Sequence, residues 1–143
     1  MSILKTHIEF RSESFPKNDI ELSDKDGSIW GYTLAVFLSG ELQRNGLQVF
    51  EFICEDWGYL IPLASEDLEG IWIGCTHYEE FENGFLVFIE PSNPIVKKGF
   101  FRKIDISEKI IKVSNVLDKI LTNNPNIYAQ RWWGESDMKL IAR

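Results

Sequence analysis

Histidine and cysteine are scarce, with two of each in 143 residues. A structural zinc site needs four ligands and a catalytic one three plus a water; beside Cys75 and His77 only one further cysteine and one further histidine exist, far apart in sequence, so no metal ligand set is expected. The cysteines, Cys54 and Cys75, form no C-x-x-C, and each lies in an apolar run. They are read as two buried, reduced thiols. A disulfide between neighbouring strands stays open, because spacing does not decide pairing. No apolar run approaches the ~20 residues of a membrane-spanning helix. The opening MSILKTHIEF lacks the basic-then-apolar order of a signal peptide, so a cytoplasmic protein is expected. No G-x-G-x-x-G, P-loop, G-x-S-x-G, H-E-x-x-H, EF-hand or RNA-recognition signature is present, and no cofactor is expected. That weighs little against an enzyme, since catalytic constellations are defined by geometry rather than by local sequence.

Basic charge is also short. Fifteen Lys and Arg against 22 Asp and Glu give a net charge of −7. Nucleic acids and membrane surfaces are polyanions, so neither is an expected partner. The balance fits a basic protein partner or plain solubility.

Aromatic residues are plentiful: 13% of the chain, with five Trp and ten Phe. The length suits one domain, large enough to bury a core without metal or disulfide staples. There is no internal repeat, low-complexity tract or linker.

In chain order, residues 3–10 alternate like a strand, and Ile20 and Leu22 suggest a short second one. Asp26 or Ser28 can cap a helix over residues 29–45, with Trp30, Leu34, Phe37, Leu38 and Leu42 on one face. Gly46 is a natural stop. Residues 47–91 then read as a four-strand meander. In its first strand, residues 47–55, Phe50, Phe52 and Cys54 share one face and Val49, Glu51 and Ile53 the other. In the second, Trp57, Tyr59, Ile61 and Leu63 share a face. Ile71, Ile73 and Cys75 alternate with Trp72, Gly74 and Thr76. Asn83-Gly84 signals a tight turn, and the unbroken run Phe85 to Ile89 reads as a central strand. The chain's one basic cluster, Lys97, Lys98, Arg102 and Lys103, surrounds Phe100 and Phe101 and reads as a solvated strand with local ion pairs. Ser107 caps a helix with a stripe of Ile110, Val113, Leu117, Ile120 and Leu121. Residues 127–133 form a last strand. Sequential strands on short turns pair antiparallel. The expected fold is therefore α+β: one antiparallel sheet around the meander, with two helices packed on one face.

Three places could carry function. The corner Glu55-Asp56-Trp57-Gly58 sets two carboxylates beside an aromatic ring. The stretch His77, Tyr78, Glu79, Glu80 follows Cys75, so a Cys75–His77 nucleophilic pair is conceivable, although an apolar strand would raise the thiol pKa. Glu90, at a strand end near Trp57, Tyr59, Trp72 or Trp132, could join an aromatic cage for a cation. Trp132 and Trp133 point to opposite faces; one belongs in the core, and the other, with Arg131, could anchor an interface. No residue is assigned a catalytic role.

EDWGY at 55–59, IWIGC at 71–75, FLVFIEPSNP at 85–94, FFRKID at 100–105 and RWW at 131–133 together resemble a group of small uncharacterised bacterial proteins. These share an acidic-Trp-Gly corner, a Gly-Cys strand and a C-terminal Trp pair. No activity is established for that group, so the resemblance assigns no catalytic residue. Small acidic α+β proteins are similar in type to toxin-neutralising immunity proteins.

The expectation is a non-enzymatic binding protein, immunity- or inhibitor-like, that meets a basic protein partner. Glu55, Asp56, Glu79, Glu80 and Glu82 would steer, and Trp57, Tyr78 and a terminal Trp would anchor. The alternatives are a small-molecule carrier with an aromatic pocket holding Glu90 or Glu55, and a small enzyme. Pairing of a sheet edge with a second copy, as a homodimer, is also open.

Overall fold

The computed structural model describes residues 4–24, 29–78, 80–99 and 102–134. The expected caps Asp26 and Ser28, the turn residue Glu79, the Phe100–Phe101 pair and the tail from residue 135 lie outside the described residues.

The elements run β1 (His7–Arg11), α1 (Asp19–Ser23), α2 (Tyr32–Arg44), β2 (Ile53–Glu55), β3 (Gly58–Pro62), β4 (Trp72–His77), β5 (Gly84–Glu90), β6 (Ile95–Lys98), β7 (Arg102–Asp105), α3 (Ser107–Thr122) and β8 (Tyr128–Trp133). Six strands form one sheet in the order β2-β3-β4-β5-β1-β8, every pair antiparallel. The basic run folds back on itself as the separate hairpin β6–β7. The fold is α+β with an antiparallel meander, as the strand spacing requires. Among the described residues no helix is long and apolar enough to cross a membrane.

The core lies between one sheet face and the helices α2 and α3. Ile8, Phe10, Ile61, Ile73, Phe85, Val87 and Ile89 meet Leu34, Leu38 and Leu42 of α2 and the full expected stripe of α3. Each such side chain contributes roughly 1.5–3 kcal/mol when fully buried.

Several local expectations fail, each for a physical reason. Ile20 and Leu22 lie in the helix α1, not in a strand. Asn18 and Glu21 close a reciprocal capping box, which nucleates a turn of helix. Both apolar side chains then face solvent, at 78% and 67% exposure.

The first meander strand is shorter than expected. Val49 bridges Leu63, so an unbroken ladder would set Phe52 opposite Leu60; instead Ile53 stands there. One extra residue has entered, and it flips the sides downstream. Phe50 and Ile53 therefore both point out, while Val49 and Phe52 pack on the core. Cys54, expected to be buried, is exposed; Cys75 is buried, and both thiols are free.

Gly84 opens β5 rather than closing a two-residue turn, and the Tyr78 N–H bonds back to its carbonyl. Ser107 is the first residue of α3, not its cap; its N–H and hydroxyl both donate to Asp105. No ion pair joins the side chains of Lys97, Arg102 and Lys103 to another described residue; the described pairs, Arg44–Glu41 and Lys112–Asp67, lie elsewhere.

The cap of α2 comes from an unexpected place. Gly31 is its N-cap and has no side chain to offer. Glu21, only 3% exposed, reaches across from α1. Its Oε2 accepts from the N–H groups of Gly31 (2.9 Å) and Tyr32 (3.2 Å), while Oε1 accepts from Asn18 (3.0 Å). A carboxylate at a helix N-terminus satisfies free donors and complements the dipole.

Candidate functional site

The antiparallel order collects several segments at one end of the sheet. There β2 and β4 end and β3 and β5 begin, so the turns at 56–57 and 78–83 project side by side. Two strand spacings, about 10 Å, separate them. β1 ends at the same level, Arg11 opposite Gly84, and β8 begins there, Tyr128 opposite Arg11. Glu13, Glu55, Asp56, Glu80 and Glu82 thus gather at one end, and Asp56, Glu80 and Glu82 are exposed in the turns.

A cleft of about 570 Å³ opens at this end, lined by Arg11, Ser12, Glu13, Phe15, Pro16, Trp30, Glu80, Phe81, Glu82 and Asn83. A hydrogen-bond network fixes its wall. Arg11 Nε donates to Asn83 Oδ1 (3.0 Å). Asn83 Nδ2 donates to Glu13 Oε1 (2.7 Å) and to the Tyr128 hydroxyl oxygen (2.8 Å). The Tyr128 hydroxyl donates to Glu13 Oε1 (2.7 Å). The Tyr128 and Asn83 bonds hold the Glu13 carboxyl below the usual carboxylate range. The Glu13 bond in turn pushes the Tyr128 phenol up. The Arg11 guanidinium lies over Phe81 (4.4 Å) and near Tyr128 (5.9 Å).

His77 stacks flat on Trp30, with centroids 4.1 Å apart at 7°. Its Nε2 lies 2.8 Å from the Glu82 carbonyl oxygen, which can only accept, so this nitrogen carries the proton. Trp30 Nε1 donates to the Phe15 carbonyl (2.9 Å), and Lys17 Nζ lies 5.2 Å from the Trp30 ring centroid. The Tyr78 hydroxyl donates to Glu80 (2.8 Å), which pushes its pKa up to about 12. Arg131 and Tyr78 line an adjoining cleft of about 340 Å³ that shares Arg11 and Phe81 with the first.

His77, Tyr78, Glu80 and Arg131 therefore stand around one pair of clefts, and Glu55, Asp56 and Trp57 sit beside them in the next turn. Glu79 lies outside the described residues. Glu90 is at the opposite end of the sheet, across from Trp72. Trp132 faces the helices, its Nε1 donating to Asp118 (2.9 Å). The partner of Arg131 is instead Trp133, 4.1 Å away on the same face.

Trp57, expected beside Tyr59, lays its ring on the opposite, open face. It packs on Trp72 (6.0 Å) and Phe88 (5.3 Å), and Trp72 and Phe88 are 5.9 Å apart. Phe88 also stacks on His7. Two glycines permit this. Phe88 lies across Gly74, where a Cβ would enter its ring, and Gly58, at φ +154°, lets β3 approach the Cys75 carbonyl. Three rings this close fill the space between them, so a cation could rest on the cluster but not inside it. Tyr59 and Trp132 take no part in it.

Cys75 has no exposure, and burial pushes its thiol up, against any thiolate chemistry. Among the described residues no three His, Cys, Asp or Glu side chains are placed to hold a metal ion.

Arg11, Glu13, Asn83 and Tyr128 were not singled out from the sequence. They join across separations of 45 to 115 residues, and no local pattern marks them. Comparison with protein-family models, with curated proteins and with solved structures finds no match.

Proposed function

We propose that the chain is a non-enzymatic binding protein that engages a basic protein partner with the acidic, aromatic end of its sheet. An immunity or inhibitor role is its concrete form. One observation carries the reading: the turns at 56–57 and 78–83 emerge at the same end of the sheet, two strands apart. Had these acidic turns projected from opposite ends, the reading would fail. Asp56, Glu80 and Glu82 supply steering, and Trp57, Tyr78 and Phe81 supply contact area at the rim. The burial of Cys75, which pushes its thiol up, speaks against the thiol-enzyme alternative. The closed packing of Trp57, Trp72 and Phe88 speaks against a caged small cation.

The test is capture from native lysate with wild type and an Asp56→Lys/Glu80→Lys variant, at low and moderate salt. A specific basic protein, retained by wild type and lost on charge reversal, is expected. Its association rate with purified wild type should fall steeply with salt. A partner that binds both proteins equally at both salt concentrations overturns the reading.

A further inference from the structure

We propose that the cleft between Phe81 and Trp30 is a receptor for a single guanidinium group, the arginine side chain of a basic partner. This deepens the reading above and rests on it for the partner's identity, but not for the binding itself.

The lining has three carboxylates, Glu13, Glu80 and Glu82, against one cation, Arg11. Arg11 is already engaged, hydrogen-bonded to Asn83 and stacked on Phe81. Glu13 is held by two uncharged donors, Asn83 and Tyr128, which orient its carboxylate without neutralising it. The ion pairs between described residues, Arg44–Glu41 and Lys112–Asp67, lie elsewhere. An ionised, oriented carboxylate in a concave site is a receptor for positive charge.

The walls say which kind of cation. Phe81 is 40% exposed and already carries one guanidinium on its ring, and Trp30 is covered by His77 on one face and has an ammonium, Lys17, over its ring. Aromatic faces with carboxylates beside them suit a flat cation, which can stack and donate in its plane at once. Lys17 is half-buried and lies outside the cleft lining, so a guanidinium that stacks on Trp30 must displace its ammonium.

The experiment titrates the whole chain with N-acetyl-arginine amide and with its neutral isostere N-acetyl-citrulline amide, at constant ionic strength. The readout is the Trp30 indole N–H and the Asn83 side-chain amide in nitrogen-correlated NMR spectra, assigned with Trp30→Phe and Asn83→Ser. Both signals should shift saturably with arginine and not with citrulline. Glu80→Gln/Glu82→Gln, two exposed positions, should weaken the arginine response about fivefold. Equal responses to both probes, or none at these two signals, overturn the inference. A partner lost with Asp56→Lys but kept by the double Gln variant would remove the cleft from the contact and leave the functional reading standing. Arginine binding at the cleft without any charge-dependent partner would do the reverse.

Discussion

Replacing Glu21 tests whether one buried carboxylate joins α1 to α2. Glu21→Ala removes the acceptor of the Gly31 and Tyr32 N–H groups and of the Asn18 N–H. Gly31 is buried, so its donor is stranded, at a cost of about 2 kcal/mol. Tyr32 is exposed, and water replaces its bond at little cost. Loss of the negative charge at the α2 N-terminus adds about 1 kcal/mol. The total is about 3 kcal/mol, or roughly 10 °C in Tm for a domain of this size. Glu21→Gln keeps the shape but not the chemistry. Both carboxylate oxygens accept, so one amide end must face a backbone N–H, and about 1.5 kcal/mol should be lost. Urea unfolding followed by Trp fluorescence measures both variants. A loss under about 0.5 kcal/mol for Ala, or none for Gln, refutes the remote-cap argument.

Native protein should show one thiol, Cys54, reactive with a disulfide reagent near pH 8, and two after unfolding; rapid labelling of native Cys75 would contradict its burial. Gly74→Ala drives a Cβ into the Phe88 ring and should cost about 1–3 kcal/mol in urea unfolding; a neutral result would mean that Phe88 does not lie across the glycine. Glu13 has a lowered folded pKa, so its contribution to stability is present above the ordinary carboxylate range and is lost as pH falls through the folded value. Tyr128→Phe removes the largest cause, so the Glu13 carboxyl resonance should titrate at higher pH in that variant; an unchanged midpoint would rule out the hydrogen bond as the cause.

Legibility followed the range of the interaction. The stripe of α3 was readable because its residues recur within one helix and all face one core. The meander was readable because short turns leave antiparallel pairing as the only geometry. The sides of residues 49–53 were not readable, since one inserted residue reverses them and leaves no compositional mark. The helix α1 carried a legible signal in its Asn-x-x-Glu capping box, but Ile20 and Leu22 outweighed it as strand formers. The pairing of Arg131 with Trp133 rather than Trp132 follows from two-residue periodicity. Turn composition placed Tyr78 and Glu80 in a connection, while His77, read into the same connection, is the last residue of β4. The network around Glu13 needed the order of β5, β1 and β8, which no local rule supplies.

That network also bears on how such an end could bind. Association is weakened by the side chains it must immobilise, about 0.5–1.5 kcal/mol for each long one. Here Arg11 is held by Asn83 and two rings, and Glu13 by Asn83 and Tyr128. His77 and Trp30 hold each other, and each is bonded to a backbone carbonyl. Four segments distant in sequence thus order the cleft wall before any partner arrives. Glu82 at the rim, by contrast, has its side chain exposed and can adjust to a partner's charge. A fixed wall beneath an exposed acidic rim separates the two tasks of a binding site. Substitutions of Asp56, Glu80 or Glu82 should alter charge recognition with little effect on stability, whereas Asn83→Ala, which frees Arg11 and removes one bond each from Glu13 and Tyr128, should disturb both.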